Sequence, residues 1–510
     1  MTIVRALDGA ALVLGGLVVA ILVTGGFRFG TVALSRAEDV VVVLAVTVAA
    51  RCLAGPGRLP RMDPRRAVAA GMLLYALAMS FIVVTRHVAL RTHALDLGYY
   101  VQLVWNVASG RGAHVTLPPM HPWGDHLSPI LYLLAPLGWV WPGGASLLVA
   151  QTLVLASGAS AMFGYAARRL DGPAAAAFAL LYLLNPSLHG INLRDIHPAA
   201  FVIALVPWAA LAFDTGRYGW CAVALLGVLA CREDAAVAVL GFGVWLAVAR
   251  RRWWPGALLA VGSLVLLAAE IRYVMPYFRG EPYPHLHRYA HLGRGLGEII
   301  LNLVIAPWRW LGVLVMGKKL VYLLALLAPL GFLPLLGGGA LLAAVPGLAM
   351  NLLSLDPVLF HHRSQYQSFV LPFLLLAAVD GYARLRAWAG ERRLFGRFSP
   401  IATLVLGALA SAVLTARTVN DLSVARWRLG PDQNAAYTLM GRVEPGASVS
   451  ANERLVPHLA ARPEAYVFPS GIERSEFVLV REGDLLGRPL AAYVEIGRAG
   501  AWRLLRRRGG

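Results

Sequence analysis

Long apolar runs separated by short, arginine-rich loops are the feature that most constrains how this chain can fold. The first run, at about 6–26, and the third, at about 67–90, are each long enough to cross a bilayer as a helix. Similar runs follow along most of the chain, in which 58% of the residues are hydrophobic and 14% are charged. Lipid supplies no hydrogen-bond partners to the backbone, so continuous apolar runs favour helices, whereas barrel strands would alternate. We therefore expect an all-α polytopic membrane protein with about 13 transmembrane helices.

The placement of arginine predicts how the chain is oriented. The formal net charge is +19, which in a soluble protein would suggest nucleic-acid binding. Here the charge comes mostly from arginines in short loops such as 51–66, and the positive-inside rule places such loops in the cytoplasm. We expect a protein of the prokaryotic plasma membrane with a cytoplasmic amino terminus and no nucleic-acid partner.

Composition divides the chain into three parts. They are an N-terminal transmembrane hairpin (1–66), a membrane domain (67–417) with an external loop at 91–127, and a C-terminal region (418–510). In that last region the apolar residues come in short runs, such as 465–468 and 477–480, separated by Gly, Pro and charges. This pattern predicts a small extracytoplasmic α/β domain, with a helix at about 453–461 between strands.

Two apolar segments are predicted not to cross the membrane in a simple way. The segment 128–141 is short and contains Pro136, so we expect a helix in the outer interface. The segment 338–353 begins in a run of glycines and contains Pro346, which favours a broken or re-entrant segment.

Asp96 is the first candidate functional residue. It follows the third apolar run and opens the external loop. A carboxylate beside the bilayer is costly unless it is hydrated, paired or bound to metal, so such a residue is a functional candidate. The alternative is a solvated cap on an interfacial helix.

Histidines and acids are predicted to lie on the same side of the membrane as Asp96. All thirteen histidines fall in predicted external loops, at outer ends of spans or in the C-terminal region. Histidine and carboxylate are ligands of zinc and manganese and the usual proton-transfer groups. One expectation is a divalent metal held by Asp96, Asp195 and His197; the other is that these histidines are simply exposed in loops.

Two further acidic motifs have structural alternatives. Arg232-Glu233-Asp234 lies between two apolar runs, where it either serves the site or forms an internally paired loop. Asp195 and His197 precede Pro198, so Asp195 either serves the site or caps a helix.

The chain from Leu95 to about Phe468 resembles the membrane proteins of the domain of unknown function 2079 family. The matching motifs are Asp96-Leu97-Gly98 with Gln102 and Trp105, Gly124-Asp125-His126-Leu127-Ser128-Pro129, Asp195-Ile196-His197-Pro198, Arg232-Glu233-Asp234, Gln365-Tyr366 and Val456-Pro457-His458-Leu459. That family in turn resembles the GT-C glycosyltransferases, which include protein mannosyltransferases and aminoarabinose transferases. The features that would correspond are Asp96, the helix opening Ser128-Pro129, Arg168-Arg169-Leu170 and Asp195. The lysine of the Lys-Pro-Pro motif in those enzymes is absent, and His126 or Ser128 is nearest.

The resemblance implies a membrane glycosyltransferase with a GT-C-like fold. It would move a sugar from a polyprenyl-phosphate donor to an extracytoplasmic glycan, lipid or protein acceptor, with Asp96 as general base. The expected catalytic residues are Asp96, Asp195, Glu233 and Asp234. The expected substrate-binding residues are Asp125, His126, Arg194, Arg232, His361, Arg363, Gln365 and Tyr366.

Two other classes of function are considered. A transporter or lipid flippase would also carry charges near membrane helices, but inverted repeats and ionisable residues at mid-bilayer depth would be expected of it. A non-catalytic scaffold presenting the C-terminal region would not need acids and histidines concentrated on one side.

Overall fold

Helices make up most of the protein, as the sequence predicts. The computed structural model describes residues 2–29, 32–54, 62–391, 400–485 and 490–509. Residues 55–61 of the predicted cytoplasmic loop lie outside these ranges.

The N-terminal hairpin consists of α1 (Thr2–Thr24) and α2 (Ala37–Leu53). A short antiparallel ribbon, β1 (Phe27–Phe29) and β2 (Val32–Leu34), joins the two helices. Inside the hairpin, Arg51 Nε donates to Asp8 Oδ1 at 2.6 Å.

The membrane domain is a helical bundle, and its helices are numbered α3 to α20 along the chain. They are α3 (Pro64–Val88), α4 (Tyr99–Ala108), α5 (Ala135–Val140), α6 (Gly144–Ala167), α7 (Gly172–Leu183), α8 (Pro186–Asn192), α9 (Val202–Asp214), α10 (Tyr218–Leu229), α11 (Ala236–Val244), α12 (Trp253–Ala269), α13 (Met275–Arg279), α14 (Leu296–Ile305), α15 (Trp308–Leu314), α16 (Gly317–Leu327), α17 (Gly339–Leu342), α18 (Val345–Leu353), α19 (Leu371–Glu391) and α20 (Pro400–Val419). Local signals set several helix starts: the side chains of Asp63, Asp171 and Asn185 accept backbone N–H groups at the first turns of α3, α7 and α8. A proline stands within the first two positions of each of these helices.

Fewer helices meet the requirements of a simple span than the thirteen predicted. Five described helices are long and apolar enough to cross a membrane, or up to seven if each of two bent pairs is one span. The bent pairs are α7 with α8, at 40°, and α14 with α15, at 86°. Prolines and π-helical turns interrupt several other apolar runs, so runs that are continuous in the sequence become short helices. The number thirteen stays a prediction.

The two segments predicted not to cross simply are short and broken. Residues 129–134 form a 3-10 turn that leads into α5, giving an apolar helix of Pro129–Val140. The segment 338–353 divides into α17 and α18. Both agree with the expectation that neither is a single regular span.

The C-terminal region contains the predicted strands in one five-stranded sheet. Its elements are α21 (Pro431–Met440), β5 (Val449–Ala451), α22 (Val456–Leu459), β6 (Ala465–Val467), β7 (Phe477–Arg481), β8 (Tyr493–Ala499) and β9 (Trp502–Arg507). The strand order is β6-β5-β7-β9-β8, with β5 parallel to β6 and β7 and the other pairs antiparallel. The helix predicted at 453–461 is present but shorter, as the single turn α22.

The sheet shares a hydrophobic core with the loop that follows α3. One buried cluster includes Leu97 and Val101 on the loop side and Val456 and Leu479 on the domain side. Buried Gln102 adds polar contacts, because its amide nitrogen donates to Thr116 and to the carbonyl oxygen of Pro463. The C-terminal domain therefore rests on the end of the bundle that carries Asp96.

Candidate functional site

Asp96 faces a histidine from a distant loop. It lies in a π-helical turn, Ala94–Gly98, between α3 and α4. His197 Nε2 is 3.5 Å from Asp96 Oδ1, and the Asp96 side chain is 47% exposed. The N-cap residues of this turn and of α4, His93 and Gly98, make no side-chain capping hydrogen bond, and the Asp96 carboxylate lies next to His197.

Asp195 is buried beneath Asp96. Its Oδ2 accepts the backbone N–H of His93 at 2.9 Å and lies 3.2 Å from His93 Nδ1. The carboxylate is thus turned towards His93, and the turn that begins at Pro198 has no side-chain cap. We call His93, Asp96, Asp195 and His197 the Asp96 cluster.

Gln151 on α6 holds the loop that carries Asp195 and His197. Its Nε2 donates to the Asp195 carbonyl oxygen at 2.9 Å, and its Oε1 accepts the His197 N–H at 2.8 Å. Asp195 has a positive φ of 64°, a left-handed conformation that non-glycine residues adopt rarely. The buried amide therefore fixes an unusual loop at the point where both side chains enter the cluster.

The charges around Asp96 favour its ionised form. Burial acts to raise the pKa of Asp96, but the contact with His197 and the charges of His93 and Arg194 outweigh it and lower the pKa. The hydrogen bond to Asp195 raises the pKa of His93. Asp96 is therefore a carboxylate at neutral pH, accessible to solvent on one side.

Glu233 organises a second group of side chains. It is 1% exposed at its side chain, and its Oε1 lies 3.1 Å from His126 Nδ1. Its Oε2 accepts the Leu127 N–H at 3.2 Å, and Tyr283 donates to Oε1 at 3.2 Å. Burial acts to raise the pKa of Glu233, but His126 and Arg232 lower it well below its usual value.

Arg232 and Asp234 form an internal pair beside Glu233. Arg232 Nε and Nη2 donate to the two carboxylate oxygens of Asp234 at 2.6 and 2.5 Å. The guanidinium is 3% exposed and lies over the ring of Tyr366 at 4.9 Å. The alternative of an internally paired loop thus describes Arg232 and Asp234, whereas Glu233 bonds outside its own motif. We call Asp125, His126, Arg232, Glu233, Asp234, Tyr283, His285 and Tyr366 the Glu233 cluster.

Two tyrosines at the start of α4 connect the two clusters. Tyr100 interacts electrostatically with both Asp96 and Glu233, and Tyr99 with Glu233. Their rings pack edge to face with centroids 4.9 Å apart. The predicted residues 96, 125, 126, 195, 197 and 232–234 therefore lie at one end of the bundle.

A cavity of about 1100 Å³ opens beside the Asp96 cluster. Six arginines and two acids line it: Arg36, Arg86, Arg194, Arg363, Arg417 and Arg426, with Glu38 and Asp421. Glu38 pairs with Arg36 and Arg417, and Asp421 pairs with Arg426. We call it the arginine cavity.

Among the described residues, the guanidinium groups of three of these arginines make no hydrogen bond or ion pair: Arg86, Arg194 and Arg363. Burial and the neighbouring arginines lower the pKa of Arg363, with Asp421 opposing. The same cavity contains His361. An uncompensated positive cavity of this kind favours an anion, above all a phosphate, which arginine binds through two parallel N–H groups.

The remaining predicted residues have separate positions. Tyr366 is buried, and its hydroxyl accepts from Arg288 Nη1 at 2.6 Å. Gln365 is half-buried beside it, and its Oε1 is buried without a hydrogen-bond partner. Gln365 therefore adjoins the Glu233 cluster, of which Tyr366 is a member, whereas Arg194, His361 and Arg363 line the arginine cavity.

Two groups of side chains have the composition of a metal site. Within the described residues these are His93, Asp96 and Asp195, and Asp125, His126 and His285; the ligand atoms of each group lie within 4.8 Å of one another. The first group contains His93 in place of the predicted His197. The second group was not predicted.

Sequence reasoning missed His93, Gln151, His285 and Arg86 as members of these sites. His93 and His285 carried a signal, because both are histidines in predicted external loops. Gln151 and Arg86 carried none, since each lies within an apolar run and neither belongs to a motif that points to a site.

Comparisons with solved structures identify the fold. ArnT from Cupriavidus metallidurans in the apo state matches with a TM-score of 0.50 and 16% identity, over 86% of this chain and 98% of that chain. The same protein bound to undecaprenyl phosphate matches with a TM-score of 0.49 and 14% identity, over 85% of this chain and 97% of that chain. The archaeal oligosaccharyltransferase AglB from Archaeoglobus fulgidus, in complex with an inhibitory peptide and a dolichol-phosphate, has a TM-score of 0.37 and 12% identity, over 81% of this chain and 69% of that chain. The likeness to apo ArnT establishes a GT-C-like fold.

The family follows from the sequence itself. A comparison with curated proteins found no match. The family described as "Predicted membrane protein (DUF2079)" matches residues 86–485, a range that includes the Asp96 cluster and the Glu233 cluster. The chain is therefore a member of this family of membrane proteins.

Proposed function

We propose that this protein is a membrane glycosyltransferase that moves a sugar from a polyprenyl-phosphate donor to an extracytoplasmic acceptor. One observation carries the proposal: a half-exposed, ionised carboxylate, Asp96, lies beside a cavity with three unpaired arginines, in a chain with a GT-C-like fold. The carboxylate and the cations supply the two kinds of group that glycosyl transfer from a lipid phosphate requires.

Asp96 acts as the general base in this proposal. The acceptor hydroxyl gives its proton to Asp96 while its oxygen bonds to the anomeric carbon of the sugar. His197, 3.5 Å from Asp96 Oδ1, holds the carboxylate in place. Asp96 is deprotonated at neutral pH, since its pKa lies below the already acidic value of an ordinary aspartate, so its carboxylate is free to accept a proton.

The arginine cavity receives the departing phosphate. The bond between the anomeric carbon and the phosphate oxygen breaks, and the electron pair leaves with the phosphate. Arg194 couples the two regions, because it lines the cavity and its charge lowers the pKa of Asp96. Cations directed at a developing phosphate charge stabilise it most where water is excluded.

The other predicted roles stay part of the proposal. Asp195 positions His93, while Glu233 and Asp234 organise the neighbouring loops. The divalent metal predicted at Asp96, Asp195 and His197, the thirteen spans, and the plasma-membrane orientation with a cytoplasmic amino terminus and an extracytoplasmic C-terminal domain are likewise proposed.

The first test of the proposed function is to identify the lipid donor. Mass spectrometry of lipids retained by the purified full-length protein should detect a polyprenyl-phosphate sugar. Asp96→Asn should then retain that lipid but lower its transfer by about a hundredfold to ten-thousandfold, because the amide keeps the shape of the carboxylate and cannot take up a proton. Growth complementation in the native host is the first assay until the acceptor is identified.

Glu281→Gln is the matched control. Glu281 is an acid in a loop at the same end of the helix bundle as Asp96, and its side chain is 72% exposed. This variant should transfer normally. Full activity of Asp96→Asn at normal expression would remove Asp96 as the base and favour the transporter or lipid flippase.

A further inference from the structure

We propose that Asp125, His126 and His285 bind one zinc ion. The site is separate from the Asp96 cluster, and it does not depend on glycosyl transfer. Zinc binds imidazole nitrogen and carboxylate oxygen together in many protein sites.

The three residues come from two distant parts of the chain. Asp125 and His126 follow a 3-10 turn, Pro122–Gly124, and His285 lies in another, Pro284–Tyr289. Their ligand atoms lie within 4.8 Å of one another. A tetrahedral zinc ion with bonds of about 2.0–2.1 Å sets its ligand atoms about 3.3 Å apart, so small side-chain rotations close the site.

His126 is oriented as metal-binding histidines are. Its Nδ1 lies 3.1 Å from Glu233 Oε1, an arrangement in which the carboxylate accepts the Nδ1–H. This fixes the tautomer and leaves Nε2 as a lone-pair donor towards the metal. Glu233 also accepts the Leu127 N–H, so the backbone next to the ligand is held as well.

His285 provides a second, independent observation. Its Nε2 is buried and has no hydrogen-bond partner among the described residues. Its ring stacks on that of His126, with centroids 5.1 Å apart. A buried polar atom without a partner is costly, and a metal bond to Nε2 would remove that cost.

The ligand set favours zinc over calcium or magnesium. Calcium and magnesium prefer oxygen ligands, whereas two imidazoles with one carboxylate suit zinc. Three protein ligands also leave a fourth position for water.

The zinc ion would fasten two loops to each other. Gly124 already packs closely on the end of α13, which precedes the turn with His285, since a Cβ at Gly124 would lie 2.9 Å from Arg279 Cα. Arg279 Nη1 also donates to the Gly124 carbonyl oxygen. A metal bound by Asp125, His126 and His285 would link the two turns directly and would fix these three members of the Glu233 cluster.

Metal content tests the site directly. The full-length protein, purified with a histidine-free affinity tag, is compared by elemental mass spectrometry with Asp125→Asn, His285→Ala and the milder His285→Gln. We expect about one zinc per chain in the parent protein and a loss of most of it in the three variants. His287→Ala is the matched control, because His287 is an exposed histidine of the same turn whose Nδ1 bonds to the Pro284 carbonyl oxygen; it should keep its zinc.

Two further measurements distinguish the loss of a zinc ligand from misfolding of the variant. Chelation should lower the melting temperature of the parent and of His287→Ala, and leave that of His285→Gln unchanged. Cobalt should give visible d–d absorption in the parent and not in His285→Gln. A parent that neither retains nor takes up zinc would overturn the proposal. So would zinc that survives in Asp125→Asn and both His285 variants but is lost in Asp195→Asn, because that places the ion in the Asp96 cluster.

Discussion

Gln151 is the residue that connects the membrane bundle to the candidate site. It is fully buried, and both ends of its amide are used by the loop that carries Asp195 and His197. Asp195 is held in a left-handed conformation, which persists only when surrounding contacts stabilise it. One side chain of α6 therefore determines where two members of the Asp96 cluster point.

Replacing Gln151 with leucine should destabilise the protein. The Asp195 carbonyl and the His197 N–H would both lose their partners while buried, at a cost of about 1–3 kcal/mol each. We expect the free energy of unfolding to fall by about 2–6 kcal/mol, measured by denaturation in detergent. Leu153→Ala is the control, because Leu153 lies on the same helix and is 53% exposed. A Gln151→Leu protein as stable as the control would show that the amide does not support the loop.

Among the elements, the short helix α8 places Arg363 in the arginine cavity. Gly190 lies in α8 against the loop that contains Arg363, and both residues line the cavity. A Cβ at Gly190 would lie 2.2 Å from Arg363 Cβ and 2.7 Å from its Cα. The glycine therefore permits a close approach that no other residue allows without a shift.

Gly190→Ala should weaken the retention of a lipid phosphate. The added methyl group must push Arg363 and its backbone away, which removes one of the three unpaired cations from its position. We expect less phosphate-bearing lipid in the purified variant, measured by mass spectrometry.

Gly219→Ala is the matched control for this change. Gly219 is an exposed helical glycine of α10, and a Cβ there meets nothing within 4 Å. The Gly219→Ala variant should retain lipid fully, and its free energy of unfolding should rise by up to about 1 kcal/mol because alanine has the higher helix propensity. Equal lipid retention by Gly190→Ala and Gly219→Ala would show that the position of Arg363 in the arginine cavity does not affect binding of the lipid phosphate.

The whole molecule brings three parts of the chain to one end of the bundle. The N-terminal hairpin supplies Arg36 to the arginine cavity, the membrane domain supplies Arg194, and Arg426 comes from the region after α20. The C-terminal domain also contacts the end of α3 through α22, since the rings of His87 and His458 stack with centroids 4.0 Å apart. The cavity and both clusters should therefore face the same side of the membrane.

Cysteine labelling tests which side that is. In a Cys52→Ser background, a membrane-impermeant maleimide applied to intact cells should modify Ser423→Cys, because the arginine-rich loops predict that this end is extracytoplasmic. The background removes the exposed native cysteine, and the other two are buried. Arg65→Cys, in the predicted cytoplasmic loop 51–66, is exposed and should react only after permeabilisation. Modification of Ser423→Cys only after permeabilisation would reverse the orientation.

Local patterns in the sequence predicted the class of protein and the residues worth examining. Apolar runs predicted helices because lipid leaves the backbone no other partners, and short apolar runs between glycines and prolines predicted the C-terminal strands. Asp96 was identified because a carboxylate beside the bilayer is costly unless it is hydrated, paired or bound to metal; Asp195, His126 and Glu233 were identified because they fall on the same predicted side of the membrane. These inferences rest on the solvent that surrounds each segment, so they need no knowledge of the tertiary structure.

Only the tertiary structure decided which of these residues meet. His93 and Asp195 are 102 positions apart, and His126 and Glu233 are 107 apart; no spacing rule covers such pairs. The structure also turned Arg232 towards Asp234 and Tyr366 and brought His285 to Asp125 and His126. Side-chain pairing depends on how loops and helix ends pack against one another. That packing arises from many contacts across the chain, whereas membrane insertion depends on the composition of each segment alone.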